Sequence, residues 1–125
     1  MSQDGQGRRA RSIAIDVERL TVGDTVVHLI GDVIGDAAAA MQQTLIDQLS
    51  RAPTRLIVNL TAVGCIDASG VDALASAAAV AGEADHAFCL VAGEAGRVQA
   101  ALAAEQVTDL FEIFSSVSDA LQTSG

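Results

Sequence analysis

The stretch Leu56–Leu74 constrains the fold more than any other part of the chain. It opens with Leu56, Ile57, Val58 and Leu60, an apolar run too continuous for a strand with one wet face, and so predicts a strand covered on both sides. It closes with Val71, Leu74, Ala75 and Ala78, which recur as one face of an amphipathic helix. Between them stands Asp67-Ala68-Ser69-Gly70, which places a hydroxyl in the first turn of that helix and predicts that Ser69 is displayed. Unpaired N–H groups and a partial positive charge make such a position tolerant of an anion, including a phosphoryl group on Ser69. Gly70 leaves the approach to a partner or a kinase unobstructed. Asp67 and Ser69 are equally good as plain N-caps.

The elements on either side predict an α/β domain. Ile13, Ile15 and Val17 alternate with Ala14, Asp16 and Glu18, the period of a half-buried strand. Turn chemistry at Thr21–Asp24 leads to a second strand, Thr25–Ile30, and the pair reads as an antiparallel hairpin. Gly31–Asp36 then enters a helix, with Asp36 as N-cap and Ala38, Met41, Leu45 and Leu49 as its buried stripe. Pro53 stops that helix just before Leu56. Further on, Phe88–Val91 reads as a strand, 94–104 as a helix, Leu110–Phe114 as a last short strand and Ser115–Leu121 as a terminal helix. Strands alternating with helices of this length imply mostly parallel strands joined by right-handed crossovers. The domain spans 12–125, behind a Gly- and Gln-rich leader, 1–11, that reads as disordered and solubilising.

Composition narrows the function. A formal charge of −9, with no aromatic platform and a single basic cluster at Arg8, Arg9 and Arg11, argues against nucleic acid or an anionic membrane as the main partner. No apolar stretch approaches the roughly 20 residues that cross a bilayer, and no signal peptide precedes the first strand, which implies a cytoplasmic protein. Two cysteines, Cys65 and Cys89, are too few for a disulfide scaffold and lack metal-ligand spacing. They read as small core side chains or as a redox pair controlling the Ser69 loop, although Cys89 near the start of its strand and Cys65 beyond the end of its own are kept apart by strand rise unless the loop folds back. No phosphate-binding glycine loop and no nucleophile elbow is present, and neither His28 nor His86 has a catalytic setting. No cofactor, no metal and no enzymatic activity are expected.

In the order of its elements the chain resembles the STAS domain, specifically the stand-alone anti-sigma-factor antagonists. The resemblance rests on the initial hairpin, Gly31-Asp32-Val33, the strand Leu56–Leu60, and Ile66-Asp67-Ala68-Ser69-Gly70-Val71 leading into a helix. It implies one STAS-type domain with a mixed, mostly parallel sheet, which binds an anti-sigma factor, in many cases a Ser/Thr kinase, and frees a sigma factor for transcription. Phosphorylation at Ser69 would break the complex, and a phosphatase would restore it. The partner surface is expected on Asp32, Ile34, Asp36, Asp67, Ala68, Ser69, Gly70 and Asp72, an acidic patch calling for a basic partner. Ala68 stands where the family commonly has a second hydroxyl, and Ile34 where many kinase-responsive members have Asp. An antagonist that no kinase switches, one governed by Cys65 and Cys89, or a STAS subunit of a stress-signalling assembly or a transporter are the alternatives.

Overall fold

The structure, a computed structural model, describes residues 13–20, 23–93, 96–107 and 111–122. Five strands form one sheet in the order β1-β2-β3-β4-β5: β1 (Ala14–Arg19), β2 (Asp24–Val33), β3 (Arg55–Ile66), β4 (Ala87–Val91) and β5 (Glu112–Phe114). β1 and β2 are antiparallel, and every later pairing is parallel. Four helices alternate with the strands: α1 (Asp36–Ser50), α2 (Ala68–Glu83), α3 (Arg97–Ala104) and α4 (Val117–Gln122).

Side chains on successive strand residues point to opposite faces, so the apolar run in β3 must be covered twice. Leu56, Val58 and Leu60 join Val27, Leu29 and Leu90 beneath α1, α2 and α3. Ile57 joins Val26, Cys89 and Val91 on the other face, beneath Ala120, Val117 and Leu121 of α4. Arg55 fastens this second layer: one guanidinium nitrogen donates to the carbonyl of Ala120, and another lies 3.9 Å from the buried Asp24 carboxylate. The α1 stripe of Ala38, Met41, Leu45 and Leu49 is buried. On α2 the deepest positions are Val71, Leu74, Ala77 and Ala81, with Ala75 and Ala78 at the margin of the core.

β3 is twice as long as its apolar run. Beyond Asn59, where its pairing with β4 ends, it continues along β2 to Ile66, and past Ile30, where β1 ends, β2 and β3 are the two strands of a ribbon among the described residues. The partners step from His28↔Asn59 to Ile30↔Ala62 and from Gly31↔Val63 to Val33↔Ile66, so β3 carries an extra residue at each of two bulges. Asn59 braces the first: its carboxamide oxygen accepts from the Thr61 N–H at 3.1 Å and from the Thr61 hydroxyl at 2.8 Å. Such bulges break the two-residue period, which is why only Leu56–Leu60 reads as a strand from sequence. Of the leader 1–11, the turn residues Thr21 and Val22, and Leu110, nothing is described.

Candidate functional site

The ribbon ends at Asp67, and this one side chain assembles the site. Asp67 is the N-cap of α2, its Oδ1 accepting from the Gly70 N–H at 3.0 Å. Its Oδ2 accepts at 3.2 Å from the N–H of Gly35, at the start of α1. Its own N–H donates to the Val33 carbonyl at 3.2 Å. The carboxylate thus clamps the Gly31–Asp36 loop to the first turn of α2, holding together two segments 32 residues apart.

Asp36 is not the N-cap of α1. Gly35 is, with φ +56°, and Asp36 is the first helical residue. A glycine adopts that left-handed angle without the steric cost a Cβ would bring. In place of a side-chain cap, the Gly35 carbonyl accepts from Ala38 N–H and the Ile34 carbonyl from Ala37 N–H.

Gly70 is buried and faces inward, so its missing side chain opens nothing to a partner. A Cβ there would fall 2.5 Å from Ile66 Cγ1 and 2.8 Å from the Val33 carbonyl oxygen. Glycine is required because the first turn of α2 sits directly on the end of the ribbon. Gly64 is the counterpart beside Asp32, whose Oδ1 lies 2.9 Å from where a Cβ would be.

The remaining expected contact residues share one end of the molecule. Asp32, Ile34, Asp36, Ala68, Ser69 and Asp72 are exposed, and Asp67 is half-buried at their centre. Ile34, 47% exposed, and Ile30, 51% exposed, are the large hydrophobic side chains left open to solvent among the described residues. Ser69 is the second residue of α2, one place past the first helical residue. No histidine serves it. His28 lies in mid-sheet, its ring between Glu18 Oε1 at 3.0 Å and Asn59 Nδ2 at 2.9 Å. His86 precedes β4, whose first residue pairs with Arg55 at the opposite end of β3. Among the described residues, no three His, Cys, Asp or Glu side chains converge to hold a metal ion.

The two cysteines do not form a pair. Cys89 lies opposite Ile57, eight residues before Cys65 on β3, a separation of roughly 20–26 Å at strand rise. A disulfide needs Cα atoms about 6 Å apart, so a bond within the chain is excluded. Burial, with Glu112 and Asp24 adding to it against the opposing pull of Arg55, pushes the Cys89 thiol up to about 11. Cys65 is half-buried, with the Arg97 guanidinium at 3.4 Å from its sulfur.

The family model described as the STAS domain matches residues 14–120. The chain belongs to the STAS domain family. Among curated proteins, none matches this STAS domain by sequence. Solved structures do match in fold. An anti-sigma factor antagonist from Mycobacterium paratuberculosis superposes with a TM-score of 0.80 at 24% identity, covering 90% of this chain and 93% of that one. The anti-sigma factor antagonist SpoIIAA in its unphosphorylated form, a Bacillus cell fate determinant, gives 0.72 at 16% identity, covering 87% and 94%. A sulfate transporter family protein from Wolinella succinogenes gives 0.67 at 19% identity, covering 84% and 87%.

Proposed function

We propose that this STAS domain is an anti-sigma-factor antagonist of the cytoplasm, docking through the end of the molecule that Asp67 assembles. One observation carries the reading: a single carboxylate, hydrogen-bonded to Gly35 and Gly70, presents Ile34, Asp36, Ala68, Ser69 and Asp72 as one exposed surface. Similarity of fold to two antagonists of like size supports it. The partner is an anti-sigma factor with a basic contact surface. Its engagement frees a sigma factor, and the domain itself does no chemistry.

Ser69 is the regulatory acceptor in this reading. A kinase, which is either the anti-sigma factor or a separate protein, adds a phosphoryl group of nearly two negative charges. A phosphatase removes it. Such a group at the centre of the contact leaves no room for the partner's surface, while an exposed position on α2 lets the free domain keep its fold. The test is binding to the anti-sigma factors of the source genome by wild type, Ser69→Ala and Ser69→Glu. Loss of binding in Ser69→Glu with retention in Ser69→Ala is the expected result. Equal binding by all three would refute Ser69 control and leave an antagonist that no kinase switches, the case to which Ile34 and Ala68 point. If no anti-sigma factor binds at all, the transporter-type STAS role that the Wolinella structure brings in becomes the leading reading.

A further inference from the structure

His28 stands in the middle of β2, opposite Asp16 of β1 and Asn59 of β3. Its neighbours Val27 and Leu29 pack beneath α1, α2 and α3, so its ring lies on the other face of the sheet, with Val26. Both ring nitrogens are engaged: Nε2 lies 3.0 Å from Glu18 Oε1, and Nδ1 lies 2.9 Å from Asn59 Nδ2. The orientation of the Asn59 carboxamide is fixed from its far side. A backbone N–H can only donate, so the carboxamide atom 3.1 Å from the Thr61 N–H is the oxygen, and the same oxygen accepts from the Thr61 hydroxyl. Asn59 Nδ2 must therefore donate to His28 Nδ1, a bond that exists only while the imidazole is neutral. A protonated ring donates from both nitrogens. Its Nδ1–H would face the Asn59 NH₂, donor against donor, whereas its Nε2–H would keep Glu18 as a charge-assisted partner.

We infer that His28 is a proton-operated latch on the β2–β3 ribbon: taking up a proton turns the Asn59 carboxamide over, releases Thr61 and loosens the first bulge. The turned carboxamide presents its oxygen to Nδ1–H and its NH₂ to Thr61. The Thr61 hydroxyl can rotate to accept from that NH₂, but the Thr61 backbone N–H has lost its acceptor and passes to water, Thr61 being exposed. The charged groups that face the ring leave the opposite side undisturbed. From β1 come the Glu18 carboxylate and, opposite His28 in register, Asp16. From β3 come Asn59 and Thr61, both uncharged, and along β2 Asp24 is matched by Arg55. α1 packs on the other face of β2, where Arg19 donates to Gln48. The bulge sets the step from His28↔Asn59 to Ile30↔Ala62, and the same strand runs on to Asp67, whose carboxylate accepts from Gly35. A proton taken up in mid-sheet is thereby felt at the end of the molecule where docking is proposed. That last consequence rests on the proposed docking surface, and the latch itself does not.

The test is a pH titration of the free full-length domain by NMR, following the His28 ring nitrogens and the amides of Thr61 and Gly35. With the intrinsic pH dependence of exchange removed, Thr61 should lose protection by about two- to tenfold, the worth of one hydrogen bond, at the midpoint of the His28 ring. The Gly35 amide should shift with the same midpoint. His28→Gln should abolish both responses. Asn59→Asp should leave Thr61 protected throughout, because a carboxylate accepts from Nδ1–H and from Thr61 N–H without turning. His86→Gln, before β4, should change neither response. A Thr61 amide indifferent to the His28 titration would overturn the latch, as would an equal loss of protection in Asn59→Asp, the mark of charge acting through space. A response at Thr61 that leaves Gly35 unmoved would overturn the link to the docking end. If both amides respond and anti-sigma-factor binding ignores the same midpoint, the latch stands and the proposed docking surface falls.

Discussion

Replacing Asp67 tests whether one side chain holds the site together. Asp67→Ala removes the N-cap bond to Gly70, a loss of about 1 kcal/mol for such caps. It also removes the acceptor for Gly35 N–H, a bond between exposed groups contributing about 0.5–1 kcal/mol. The sum, about 2 kcal/mol, corresponds to a fall in urea midpoint of about 1 M for a domain of this size. Asp67→Asn separates the two terms. Its amide oxygen still accepts from Gly70, whereas its NH₂ faces the Gly35 N–H, donor against donor, and the cost falls to about 1 kcal/mol. Urea unfolding gives the totals and amide exchange assigns them: Gly35 should lose protection in both variants, and Gly70 in Asp67→Ala alone. Retained protection at Gly35, or a loss below about 0.5 kcal/mol in Asp67→Ala, would refute the clamp.

Gly70→Ala should destabilise by about 1–3 kcal/mol despite alanine's better helix propensity, because its Cβ meets the Val33 carbonyl; Gly82→Ala, in open space near the end of α2, should gain up to about 1 kcal/mol, and chemical denaturation compares them. The chain has no Lys and no Tyr, so its alkaline stability curve is unusually simple. Between pH 9 and about 11 the unfolded chain gives up the Cys89 proton while the folded one keeps it, so stability should fall with pH by about 2–3 kcal/mol, and Cys89→Ala should flatten the curve. Thiol alkylation at neutral pH should reach Cys65 first and Cys89 only on unfolding. Asn59 commits its oxygen to Thr61, so its NH₂ must donate to His28 Nδ1, which leaves the neutral imidazole proton on Nε2, towards Glu18; long-range ¹H–¹⁵N spectra should show that tautomer, and the opposite one would refute the network.

The sheet was legible where period and composition agree, and the site was legible only in part. Leu56–Leu60 is legible because four of its five side chains are apolar and fall on both faces, as a doubly covered strand requires. Thr61–Ile66 is not, since bulges between Asn59 and Ala62 and between Val63 and Ile66 break the alternation and the ribbon has no second layer to fill. Asp67 as a cap for Gly70 follows from a spacing of three. Its bond to Gly35 leaves no local trace, and neither does the left-handed turn that makes Gly35, and not Asp36, the α1 cap. Gly70 looked like an opening for a partner because local sequence does not show which way a helix's first turn is packed. The distance between Cys65 and Cys89 is legible too, because Cys89 falls early in its strand and Cys65 beyond the apolar run of β3, and the register sets them at different levels of parallel strands.

The acidic setting of Ser69 limits how its phosphorylation can act in the proposed switch. A new negative charge beside Asp67 and Asp72 enlarges the field that draws in a basic partner, so long-range attraction should rise. Any loss of binding must then arise at contact, from bulk and from the water the phosphoryl group refuses to give up. Glutamate carries the same sign with less bulk, which makes Ser69→Glu a kinetic probe. Its association rate should equal or exceed that of wild type and fall with salt, while its dissociation rate rises at least tenfold. A drop confined to the association rate would mean that the partner meets Ser69 with negative charge. In that case the acidic surface around Asp67 would not be the docking face, even though the clamp that shapes it stands.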